Sequence, residues 1–168
     1  MSNGVLVAGI GNVFQTDDAF GVEVANRLAE RPLPAGVRVE DYGIRGVHLA
    51  YELLGGYDGL VIIDAVPMGE PPGTLAIIEP ELDAATMCGD DLFEVVDAHT
   101  MNPDVVLGTL RNLGGSVEKI FIIGCQPADL QDGMGLTPAV AAAVEDAADM
   151  CRQLVSEILA PVEKGVHP

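Results

Sequence analysis

Leu60-Val61-Ile62-Ile63-Asp64 is the stretch that decides how the rest of the chain is read. Four large apolar residues in succession leave no polar face, so a strand built from them must be covered on both sides. That is the condition of a parallel strand held between two layers of helix. Asp64 follows without a spacer, and a carboxylate closing so apolar a run needs a partner, because burying an unpaired charge is costly. Two other runs share this character: Val5-Leu-Val-Ala-Gly-Ile10 and Lys119 to Gly124.

The segments between these runs alternate with them. From Asp18 to Glu30 the residues Val22, Ala25, Leu28 and Ala29 recur at helical spacing, with Thr16 as the expected cap and Pro32 and Pro34 as the stop. Val37 to Tyr42 alternates as a strand does, Gly46 to Leu54 predicts a short helix, and Thr74 to Ile78 predicts another strand. Glu79 to Ala98 has no firm period and carries Asp90-Asp91, so it predicts a long active loop or an irregular insert. A helix is expected to open at Asn102-Pro103 and stop at Gly114-Gly115. Thr137-Pro138 supplies a cap and first turn for the last helix, along which Val140, Val144, Ala147, Cys151, Leu154 and Ile158 form one apolar stripe. Strand alternating with helix predicts a single α/β domain over residues 1–168: a three-layer sandwich with a mostly parallel sheet, helices on both faces and a loose tail after about residue 160.

Composition removes whole classes of function. The chain has 168 residues, 49% of them hydrophobic, which excludes a disordered polymer. A formal charge of −18 with only eight Lys and Arg excludes the basic patch that a nucleic-acid partner requires. Cys88, Cys125 and Cys151 form no CxxC pair and leave an odd count, which suits a reducing compartment. The N-terminal residues lack a basic region and read as a first strand, and no run approaches the roughly 20 apolar residues of a membrane span. The expectation is a cytoplasmic, soluble protein with no membrane partner.

In open parallel sheets, ligands bind beyond the carboxyl ends of the strands. Three segments bring metal-capable side chains there: the loop ending in Asp17-Asp18, the strand end at Asp64, and His99 just before the helix at Asn102. Two carboxylates and an imidazole make a mixed oxygen and nitrogen set that suits zinc or nickel and leaves positions open for substrate or water. Plainer readings stand beside this one. Asp17 and Asp18 also suit a helix dipole, worth roughly 0.3–1 kcal/mol. His99 reads equally as a loop histidine, and His48 and His167 as structural or solvated ones. Gly9-x-Gly-x-x-Phe14 approaches a dinucleotide fingerprint, with Glu40 and Asp41 at ribose-contact distance. Phe14 replaces the third glycine, however, and carboxylates stand where a pyrophosphate belongs. No Ser or Cys sits in a nucleophile elbow and there is no HExxH. Cys151 lies on the apolar stripe as an inert thiol, while Cys125 fits either the core or the sheet edge.

Gly9-x-Gly-Asn12 with Asp17-Asp18, then Ile-Ile-Asp64-Ala, the His99 loop and Gly124-Cys-Gln-Pro127 together resemble the nickel-iron hydrogenase maturation endopeptidases. The similarity runs from about residue 5 to about residue 158. The resemblance implies an aspartyl-endopeptidase-like hydrolase that removes a C-terminal extension from the hydrogenase large-subunit precursor after nickel insertion. Carried over by position, Asp18, Asp64 and His99 fall on the family's metal ligands and hence on the catalytic set. Nickel would arrive on the substrate precursor, and zinc or cadmium would occupy the site in isolated protein. The family's Asp-Gly-Gly-Thr segment becomes Asp41-Tyr42-Gly43-Ile44, followed by Arg45-Gly46. Asp41 and Gly43 are thereby the implied substrate-binding residues, on a loop that two replacements have altered. Ala19 stands where many relatives carry Gly. Asp17 and Asp41 are the candidate general bases. A metal with open positions can polarise a carbonyl or acidify a bound water, so no protein nucleophile is required. A monomer suffices for all of this. The alternatives are a checkpoint or chaperone that binds the same precursor without cutting it, and a nucleotide-dependent enzyme built on the Gly9 loop.

Overall fold

The computed structural model describes residues 4–79 and 103–160. The Glu79–Ala98 insert (beyond Glu79 itself), His99, Cys88, His167 and the tail all lie outside those residues. Among the described residues five strands form one sheet: β1 (Val5–Ile10), β2 (Val37–Gly43), β3 (Gly59–Ala65), β4 (Leu75–Ile78) and β5 (Lys119–Cys125). Their order is β2-β1-β3-β5-β4. All neighbours are parallel except the edge pair of β4 and β5, which is antiparallel.

The apolar runs are explained by what covers the two faces. Alternate residues of one strand point to opposite sides. Val5 and Val7 of β1, Val61 and Ile63 of β3, and Ile123 of β5 share a core with α1 (Phe20–Ala29) and α4 (Pro138–Leu159). Leu6, Ala8 and Ile10, with Leu60, Ile62, Ile120 and Ile122, share the opposite core with α2 (Gly46–Leu53) and α3 (Pro103–Asn112). The result is the three-layer α/β sandwich with a mostly parallel sheet.

Two local expectations are corrected. The first helix starts at Phe20, after a 3-10 turn over Thr16–Ala19, and Thr16 caps nothing. With φ at +50°, its hydroxyl instead donates to the Gln131 carbonyl at 2.7 Å. Thr137 does occupy the residue before α4, extended and followed by Pro138, but makes no side-chain cap bond. Its hydroxyl is directed at Asp17 instead.

Strand order places the site. From β1 the chain passes to β2 on one side, and β3 then joins β1 on the other. The order therefore reverses at β1, and the crevice between the carboxyl ends of β1 and β3 is a topological switch point. Helix α1 is pressed close to those ends. A Cβ on Gly21 would lie 2.0 Å from the Ile63 carbonyl oxygen and 2.4 Å from that of Ile10, so only glycine permits this approach.

Candidate functional site

Asp18 reaches the switch point from a loop that folds back on itself. Gly11 leaves β1 with φ at +139°, and a Cβ there would lie 1.8 Å from the Asp18 carbonyl oxygen. Asn12 accepts the Phe14 N–H on its side-chain oxygen at 2.9 Å, forming an Asx turn. The Asn12 N–H donates to Asp18 Oδ2 at 2.8 Å, which fixes that carboxylate. Asp64 arrives from the end of β3, paired in register with Gly124 of β5.

Asp18 lies close enough to Asp64 for its charge to perturb that carboxyl. Burial raises the Asp18 carboxyl above its ordinary value, against the lowering effect of the Asn12 N–H. Burial first, and then the facing charge of Asp18, push Asp64 well above the usual carboxylate range. Among the described residues neither carboxylate forms an ion pair with a cationic side chain. Two like charges at the edge of a low-dielectric core, without a protein cation, favour a bound cation or a proton between them. The third expected ligand, His99, lies outside the described residues. Among those residues no group of three His, Cys, Asp or Glu side chains could hold a metal.

Asp17 is not the general base that its position suggests. It is fully buried and fully used. Its Oδ2 accepts the N–H groups of Ala128 at 2.8 Å and Asp129 at 2.9 Å. Its Oδ1 accepts the Thr137 N–H at 2.8 Å, and the Thr137 hydroxyl lies within 2.9 Å of both oxygens. Burial by itself would raise this carboxyl; the hydrogen bonds from Thr137, Asp129 and Ala128 outweigh it and hold the carboxyl below its ordinary value. The same stitching recurs along the backbone, where Thr16 N–H donates to the Gly133 carbonyl and Gly133 N–H to that of Phe14. Asp17 thus fastens the loop after β5 to the loop after β1. Adjacent acidic residues gave no sign of this division of labour, because the partners of Asp17 are more than a hundred residues away.

Asp41 and Gly43 lie on the opposite rim. Asp41 Oδ1 accepts the Gly43 N–H at 2.8 Å, Gly43 takes φ +53°, and the Gly43 carbonyl accepts the Gly11 N–H at 2.9 Å. The altered loop therefore adjoins the one that carries Asp18. Arg45 holds it from above, donating to the Asp41 and Tyr42 carbonyls at 2.6 and 3.2 Å. His48 is exposed on α2. Cys125 and Cys151 are buried, and burial pushes their thiols up to about 11 and about 12, which removes both as nucleophiles.

Comparison with known proteins identifies the family. The family model for hydrogenase maturation protease matches residues 22–154, a span that includes Asp64 and His99 and starts just after Asp18. The hydrogenase expression/formation protein HupD of Rhodobacter capsulatus is 37% identical over 153 residues, covering 89% of this chain and 70% of that protein. The hydrogenase 2 maturation protease of Escherichia coli is 34% identical over 145 residues, 85% of each. Among solved structures, the hydrogenase maturating endopeptidase HybD of E. coli superposes with a TM-score of 0.73 at 30% identity, over 92% of this chain and 93% of that one.

Proposed function

The chain belongs to the hydrogenase maturation protease family, and on that footing we propose that it removes the C-terminal extension of a nickel-iron hydrogenase large-subunit precursor once nickel has been inserted. The observation that carries this reading is the pair Asp18 and Asp64, brought together at the switch point with raised proton affinities and no cationic partner among the described residues. In this reading nickel is part of the substrate. Asp18 and Asp64 offer it oxygen donors and His99 a nitrogen donor, a mixed set suited to nickel or zinc. Zinc or cadmium takes the same donors in the free protein.

The chain's own part in cleavage is then to recognise, to position and to manage charge. Asn12 and the close-packed Gly11 hold Asp18 in a fixed orientation, so little freedom is lost when the ion arrives. Burial and the charge of Asp18 raise the proton affinity of Asp64, and a cation between the two carboxylates would offset their repulsion, which makes engagement depend on the metal being present. An empty precursor brings no such charge, and that supports the order of nickel insertion first and cutting second. In this reading Asp41 and Gly43, on the rim beside Gly11, meet the precursor chain near the scissile bond.

The test is the mass of a nickel-loaded large-subunit precursor before and after incubation with the protein. Loss of one defined C-terminal peptide, and no loss when nickel is withheld, is the expected result. A loaded precursor that stays intact in a stable complex would replace this reading with the non-cutting checkpoint.

A further inference from the structure

Phe14 and Met134 are the two most exposed large apolar side chains among the described residues, 63% and 76% accessible, and Leu130, in the same loop as Met134, is exposed as well at 41%. They are not scattered over the surface. Phe14 sits between Gly11 and Asp18 in the loop after β1, and Leu130 and Met134 sit in the loop after β5. A bridge between Gln15 and Gly133 joins the two loops at this point. Phe14 accepts from the Gly133 N–H and donates its own N–H to Asn12, whose N–H in turn holds Asp18. All three apolar tips therefore stand on backbone tied within a few residues to the Asp18 carboxylate.

The stitching beneath them is strong. The buried carboxylate of Asp17 takes the N–H groups of Ala128, Asp129 and Thr137 and faces the Thr137 hydroxyl. A loop held by so many charge-assisted bonds is preorganised, so a ligand that settles on it gives up little ordering free energy. Holding apolar side chains in water is unfavourable unless something covers them in use. A second copy of the chain is a poor cover, since each copy carries a formal charge of −18 and two such surfaces repel.

We propose that Phe14, Leu130 and Met134 form an apolar rim that grips apolar side chains of the precursor segment flanking the scissile bond, and so set which precursor is accepted. This inference rests on the proposed function and adds to it a contact made by side chains that bind no metal. The grip selects by apolar burial, while the carboxylate pair selects by charge.

The experiment compares wild type with the double variant Phe14→Ser/Met134→Ser on nickel-loaded precursor, reading initial cleavage rates over a range of precursor concentrations. Removing two buried apolar contacts is expected to raise KM about tenfold to a hundredfold, while saturating precursor restores the wild-type kcat. The pair Phe14→Leu/Met134→Leu should return KM to near the wild-type value, an outcome that a general loss of folding would not produce. An unchanged KM in the Ser variant, with wild type cutting normally, overturns the rim and leaves the proposed function standing. If wild type itself does not cut, the proposed function fails, and the two proteins are compared for precursor binding by biolayer interferometry. A weaker complex with the Ser variant then retains the rim; equal affinity, or no binding by either protein, removes it.

Discussion

Replacing Asp17 tests whether one buried carboxylate fastens the two loops of the site together. Asp17→Ala leaves the N–H groups of Ala128, Asp129 and Thr137 and the Thr137 hydroxyl without their acceptor. Hydrogen bonds to a charged group contribute roughly 1.5–3 kcal/mol each, so four taken separately would sum to about 6–12 kcal/mol. The loops lie at the sheet edge, where water can enter and re-solvate some donors. The expected loss is therefore nearer the ~3–5 kcal/mol typical of breaking a buried charged network. Asp17→Asn should fall between. One amide oxygen can still take the Ala128 and Asp129 donors and the Thr137 hydroxyl can turn to accept, but the amide NH2 then opposes the Thr137 N–H. For a chain of this length each kcal/mol moves Tm by about 2–4 °C, so Asp17→Ala should melt roughly 6–20 °C below wild type. Calorimetry gives the Tm, and hydrogen exchange should show lost protection at residues 128, 129 and 137, with β1 and β3 unaffected. An Asp17→Ala protein within about 1 kcal/mol of wild type, with those amides still protected, would refute the reasoning.

Other consequences are as direct. Because burial and Asp18 hold the Asp64 proton above its unfolded value, ionising Asp64 weakens the fold; that stability is present at low pH and is lost as pH rises from the unfolded value of about 3.9 through the raised folded one. Asp64→Asn should then abolish precursor cleavage while melting at or above wild type at pH 7 in EDTA, as thermal scans from pH 4 to 7 would show. Gly21→Ala drives a Cβ into the Ile63 and Ile10 carbonyls, where backbone cannot yield cheaply. A loss of about 3 kcal/mol or more in urea unfolding is expected, together with loss of cleavage as α1 is displaced from Asp18 and Asp64. Native protein treated with iodoacetamide at pH 8 should remain unmodified at Cys125 and Cys151 by peptide mapping, and both should react once the chain is unfolded.

Much of this protein was legible in the order of its residues. The uninterrupted apolar runs at Val5, Leu60 and Lys119, separated by helical periods, required strands covered on both faces, and hence a parallel sheet between helices. Period and hydrophobicity are local properties, so the elements that depend on them can be read without coordinates. The same logic located Asp64 at a strand end and Asp18 in the loop that follows another, because in such a sheet the carboxyl edge is where ligands go. The positive-φ Gly11 and close-packed Gly21 were visible as glycines, but not the carbonyls they make room for.

What the sequence alone determined, then, is the layered α/β architecture, the candidacy of both carboxylates, and a family resemblance that the comparisons bear out. Tertiary structure decided which acid does what. Asp17 and Asp18 are neighbours of identical chemistry, and only the arrival of Ala128, Asp129 and Thr137 makes the first a buried fastener, while the arrival of Asp64 gives the second a partner at the switch point. Strand order decided that meeting: β3 lies beside β1 because β2 went to the other side. The physical reason is that a carboxylate's role is set by the donors and charges within a few ångströms of it, and those come from segments far apart in the chain.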